Sequence, residues 1–140
     1  DNPINRISQN ENEIKLVYGL MNLERTIHLD QRDFPANLTP SRAGYSIGRW
    51  ENDVLIVETR GLLPGILSAD ANTPHSGDFR VTERFSLDPA NGALLREFTA
   101  EDGTYWTGTY SGRDSMFVSA HPFETYACDD RSFHTDQLKQ

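Results

Sequence analysis

Glu83 carries the most chemical potential in the chain. It lies in Phe79 to Leu87, FRVTERFSL, where strand alternation aligns Phe79, Val81, Glu83, Phe85 and Leu87 on one apolar face. A carboxylate so placed either pairs with a cation or has its pKa raised into the range of a general acid or base. Three arginines, Arg25, Arg49 and Arg96, fall on inward registers by the same counting. They are candidate partners in an internal ion pair and candidate anchors for a polar ligand, two roles that are compatible. A register slip of one residue would turn any of them outward.

His75, between Pro74 and Ser76, supplies an imidazole that could act as a proton shuttle or simply cap local backbone. Tyr45 is placed with Arg49 and offers a phenol to steady an oxyanion. Trp106 and Tyr110 share a face of their strand, and Tyr18 lines the face of Ile14 and Leu16. Trp106 and Tyr110 suit either stacking on a flat or sugar-like ligand or plain core packing. His121, Cys128, His134, Asp129 and Asp130 cluster in sequence without the short spacing of a metal motif, so no metal and no cofactor is expected. No nucleophile elbow, phosphate-cradling loop or dinucleotide fingerprint occurs.

The elements that must position these groups are short strands. Gly44 to Gly61, GYSIGRWENDVLIVETRG, places two β-rich runs, Tyr45 to Trp50 and Val54 to Thr59, on either side of Glu51-Asn52-Asp53, and predicts a hairpin. Pro3 to Gln9, Glu13 to Leu20, Leu23 to Leu29, Phe79 to Leu87, Ala93 to Ala100, Tyr105 to Ser111 and Met116 to Ala120 read as further strands. Turns are expected at 30–33, 88–92, 101–104 and 111–114. Phe34 to Arg42 carries Pro35 and Pro40 and reads as loop, and Leu62 to Asp78 as a long irregular cover. Tyr126 to Cys128 is a possible strand extension, and 129–140 a polar tail. Eight or nine strands at such spacing predict one all-β domain over 1–140: an antiparallel, up-and-down, lipocalin-like β-barrel, with a sandwich as the alternative.

The 140 residues carry a formal net charge of −8, which leaves no basic surface for nucleic acid. The longest apolar run is far below the ~20 residues of a spanning helix, so no membrane insertion is expected. Cys128 is the only cysteine, which excludes an internal disulfide. The chain opens on Asp1 rather than Met, consistent with removal of an export leader or with other trimming. Asn37-Leu38-Thr39 is a glycosylation sequon.

GYSIGRWENDVLIVET, TPHS at Thr73 to Ser76, VTERF at Val81 to Phe85, ERTIHLD at Glu24 to Asp30 and YAC at Tyr126 to Cys128 span most of the chain. In these segments it resembles a large group of uncharacterised exported bacterial proteins with the pattern G-H-S-I-G-R-W-E-G-D-x-L-V-V-x-T, then T-P-H-[ST], then E-R-F. The resemblance implies a periplasmic or secreted setting and no established activity. Tyr45 stands where that pattern has histidine, and Asn52 where it has glycine.

Three functions follow from these residues. The first is an exported β-barrel binding an apolar or aromatic small molecule with a polar group, oriented by Arg25, Arg49, Arg96, Trp106 and Tyr18. The second is a cofactor-free isomerase, cyclase or lyase using Glu83, His75 and Tyr45. The third is a structural envelope protein whose sheet edges pair into a homo-oligomer.

Overall fold

The computed structural model describes residues 3–67 and 73–124, and within them the chain is all-β. β1 (Ile4–Gln9), β2 (Glu13–Tyr18) and β3 (Glu24–His28) form an antiparallel meander. β4 (Tyr45–Glu51) and β5 (Val54–Arg60) form the expected hairpin, with Asn52 in the left-handed region at φ 54°. Asparagine accepts that conformation because its short amide bonds locally. β6 (Gly65–Ile66) and β7 (Pro74–His75) pair only with each other, so part of the expected irregular cover is a small ribbon. β8 (Arg80–Leu87), β9 (Leu94–Glu101) and β10 (Thr109–Met116) complete the main sheet.

The order in that sheet is β1-β2-β3-β4-β5-β8-β9-β10, and it curls into a half-barrel. The closed, wholly antiparallel barrel expected from the turns does not form. The reason lies between β3 and β4, which run parallel, joined by a crossover through residues 29–44. Strand directions around a closed ring must return to their start, which requires an even number of antiparallel contacts. Six antiparallel contacts and one parallel one are already made. Closure would therefore need β1 and β10 to pair in parallel, and they stay apart as two edges.

Side chains on the inner face make the core: Ile14, Leu16, Ile27, Leu55, Val57 and Phe85, with Ile27 and Val57 fully buried. Each such aliphatic side chain stabilises the fold by about 1.5–3 kcal/mol relative to exposure. The expected turn at Ser111-Gly112-Arg113-Asp114 is absent, and β10 runs straight through it. Gly112 sits opposite Phe98, and a Cβ there would lie 2.8 Å from the Phe98 ring. The glycine serves close approach, with no reversal of the chain. The separate strands expected at 105–111 and 116–120 are thus one strand ending at Met116. The tail at 129–140 and Tyr126 to Cys128 lie outside the described residues.

Candidate functional site

Register builds the centre of the inner face. Leu16 opposes Arg25, Ser46 opposes Thr59, Val57 opposes Glu83 and Phe85 opposes Arg96. Directly opposed residues share a face, so these polar groups converge inside the curl. Arg25 Nε donates to Ser46 Oγ at 2.9 Å, and its Nη2 donates to Thr59 Oγ1 at 2.7 Å and to Glu83 Oε2. Its Nη1 reaches the Tyr18 hydroxyl at 3.4 Å. Ser46 Oγ and Thr59 Oγ1 lie 2.8 Å apart. Arg96 Nε donates to Glu83 Oε1 at 2.8 Å and its Nη1 to Asp114 Oδ2 at 2.6 Å, while its guanidinium rests 4.7 Å from the Phe98 ring centroid. The network runs through β2, β3, β4, β5, β8, β9 and β10, leaving out only β1 of the main sheet.

Glu83 is 1 % exposed and Arg25 8 %. Burial alone would raise the Glu83 pKa, but the charges and hydrogen bonds of Arg25, and then of Arg96, outweigh it and hold the carboxyl below its ordinary range. Burial alone would lower the Arg25 pKa, and Glu83 reverses that, raising the guanidinium above its usual value. Of the two fates open to Glu83, the ion pair is the one realised. Both its oxygens are engaged, so it holds no proton to give at neutral pH and is a weak base. Among the described residues no buried side-chain nitrogen or oxygen lacks a partner. The cluster is complete without a ligand.

The structure brings Tyr18, Arg25, Glu83 and Arg96 together and places the other candidates elsewhere. Arg49 is exposed and bonded to Glu51 and Glu58 at 3.1 Å each, which corrects its inward assignment. The inward residues of β4 are Ser46 and Gly48, so Tyr45 also faces outward, stacked on His28 at 4.5 Å with Phe34 at its edge. Both faces of this hairpin carry apolar residues, Ile47 and the buried Ile56 on the outer one, and the apolar count could not tell them apart. His75 packs on Phe79 at 4.5 Å, and no hydrogen bond joins it to Glu83 among the described residues. Trp106 lies in the turn before β10 and donates from Nε1 to the Pro74 carbonyl at 2.8 Å, so it shares no strand face with Tyr110. Of the residues weighed for a metal, only His121 is among those described.

Thr59 and Asp114 belong to the network and were not singled out from sequence. The hairpin register, which sets Ser46 against Thr59, was the available signal. Asp102 was missed as well. It is 2 % exposed and accepts from the Ser76 amide at 2.5 Å, from Ser76 Oγ at 3.1 Å and from the amides of Thr104 and Tyr105 at 2.9 Å each. Desolvation pushes its pKa up, and those donors, the Ser76 amide foremost, bring it below the ordinary range. The aspartate thus ties the β6–β7 ribbon to the β9–β10 turn. Asp102→Ala is expected to speed amide exchange at Ser76, Thr104 and Tyr105, read by NMR, while β5 and β8 keep their protection.

One cleft lies between the two open edges. A cleft of about 850 Å³ is lined by Ile4, Ile7, Leu94, Met116, Phe117 and Phe123, where the start of β1 passes the end of β10. The Arg6 guanidinium lies 4.6 Å from the Phe123 ring centroid at this cleft and has no carboxylate partner among the described residues. Glu124 also lines the cleft. Comparison with protein-family models, with curated proteins and with solved structures finds no match for the chain.

Proposed function

We propose that the protein is a small-molecule-binding module that takes an apolar ligand with one anionic group in the cleft between β1 and β10. The observation that carries this is the pairing of a largely apolar cleft of about 850 Å³ with the Arg6 guanidinium, which rests on the Phe123 ring and has no carboxylate partner among the described residues. Ligand sites combine apolar walls with a few polar groups that fix orientation, and their volumes fall in the range of about 300–1,000 Å³. The site thereby moves from the interior of the curl, where Arg25, Glu83 and Arg96 satisfy one another, to the gap left by incomplete closure. A periplasmic or secreted setting is part of the proposal and rests on the resemblance of the GYSIGRWENDVLIVET and TPHS segments to exported bacterial proteins. The acid/base enzyme has less support, because Glu83 is held ionised with both oxygens bonded.

Displacement of Nile red by laurate and by dodecanol tests the assignment. Laurate is expected to bind more tightly than dodecanol, and Arg6→Ala to weaken laurate about tenfold or more while leaving dodecanol unchanged, since a hydrogen bond to a charged group contributes about 1.5–3 kcal/mol. Equal affinities for acid and alcohol, or no displacement by either, would refute it.

The open edges favour a second reading. β10 presents eight residues without proline along one edge of the sheet, the condition for strand pairing between copies. Sedimentation velocity over a concentration series separates the two readings: a binding module stays monomeric, and an assembling protein grows.

A further inference from the structure

We propose a second binding site, for a neutral carbohydrate, at the gap where β3 leaves β4. The parallel pairing of these strands covers only Ile27 with Ser46 and His28 with Ile47. Beyond His28 the chain bends, and among the described residues no further ladder pair joins this side of β4. A cleft of about 490 Å³ opens there, lined by Ile47, Gly48, Phe34, Trp50, Gln31, Arg32, Arg49 and Glu58. Gly48 in that lining faces inward, and its missing side chain leaves room for Ile27 of the core. A Cβ at that position would come within 2.6 Å of Ile27 Cγ2.

Two aromatic rings border the space. Trp50 is 50 % exposed, a large fraction for the costliest side chain to leave in water, and makes no ring stack with another aromatic among the described residues. Phe34 is fixed from behind, with the Arg60 guanidinium 4.4 Å from its centroid and Tyr45 at its edge. Arg49 is held between Glu51 and Glu58, and neither its Nη2 nor Glu58 Oε2 has a partner among the described residues. The register opposes Trp50 to Leu55 and Arg49 to Ile56, so the indole stands on the inner side of the β4 edge and Arg49 with Glu58 on the outer side. The cleft at that edge thus offers aromatic and polar groups that are already positioned, which lowers the ordering cost of binding.

The chemistry of the lining selects the ligand class. Arg32 and Arg49 are balanced by Glu51 and Glu58, so neither an anion nor a cation meets a matching field. A wholly apolar ligand would strip water from four polar side chains without replacing it. A sugar ring answers both demands, since its C–H face stacks on indole and its hydroxyls each donate and accept. A nucleotide fits less well, because Arg49 already divides its charge between Glu51 and Glu58.

The chain has two tryptophans, so Trp106→Phe isolates the emission of Trp50. In that background, titration with cellohexaose, maltohexaose and chitohexaose is expected to give a saturable emission change with at least one of the three. Calorimetry on the otherwise unaltered chain should show Trp50→Ala weakening that sugar about tenfold or more, and Glu58→Gln weakening it less, with circular dichroism unchanged. Emission that stays flat with all three sugars, calorimetric affinity indifferent to Trp50→Ala, or tighter binding of adenosine than of any sugar would each overturn the proposal. Laurate binding at the β1–β10 cleft is expected to survive Trp50→Ala, so the two sites stand or fall separately.

Discussion

Arg25→Ala is expected to destabilise the domain by about 3–5 kcal/mol, because it removes one partner from a buried ion pair and leaves the other uncompensated. Glu83, 1 % exposed, would keep only Arg96, whose side chain is partly open to water and shared with Asp114. Ser46 and Thr59 would lose their guanidinium donor at the same moment. Urea unfolding reads the effect as a fall in midpoint at unchanged slope. The paired change Arg25→Met with Glu83→Leu separates the cost of orphaning a charge from the value of the pair, since well-packed apolar residues often replace a buried pair at little cost. Recovery of most of the lost stability in that double variant is the expected result. If Arg25→Ala alone cost under about 1 kcal/mol, the pair would behave as a surface salt bridge, and the view of the network as an internal clamp would be wrong.

Much of this interior was legible in the alternation of three strands. In β3 and β8 the apolar residues fall on one face only, in β2 all but Val17 do, and Arg25 and Glu83 fell inside by that count. The hairpin was legible from the Asn52 turn between two β-rich runs. The parallel contact of β3 with β4 was not, because a parallel neighbour is set by where the crossover of residues 29–44 lands, and no local periodicity encodes that. Barrel closure failed for the same reason. Arg49 and Tyr45 were misplaced where Ile47 and Ile56 make the outer face apolar too, so that parity alone was ambiguous. Valence was the remaining gap. Residue types revealed a carboxylate among arginines, but whether it was free to react depended on both its oxygens finding guanidinium donors, which only the pairing of β5, β8 and β9 decides.

Acid should dismantle the same cluster. The Glu83 pKa is lower in the folded chain than its ordinary value of 4.5, so the native state binds fewer protons there than the unfolded one. The stability this group contributes is complete above 4.5 and drains as the pH falls through that value toward the folded one. Protonation would leave Arg25 without a counter-charge and Arg96 with Asp114 alone. Asp102, also lowered, contributes with the same sign. Urea midpoints measured from neutral pH downward are therefore expected to hold level and then fall steeply below 4.5. High salt should change the slope little, because Arg25 and Glu83 are shielded from the ions that screen exposed pairs such as Arg49 with Glu58. Arg25→Met with Glu83→Leu should flatten the Glu83 share of this fall and leave the part due to Asp102. A double variant with the full acid sensitivity of the parent would show that the titrating group lies elsewhere.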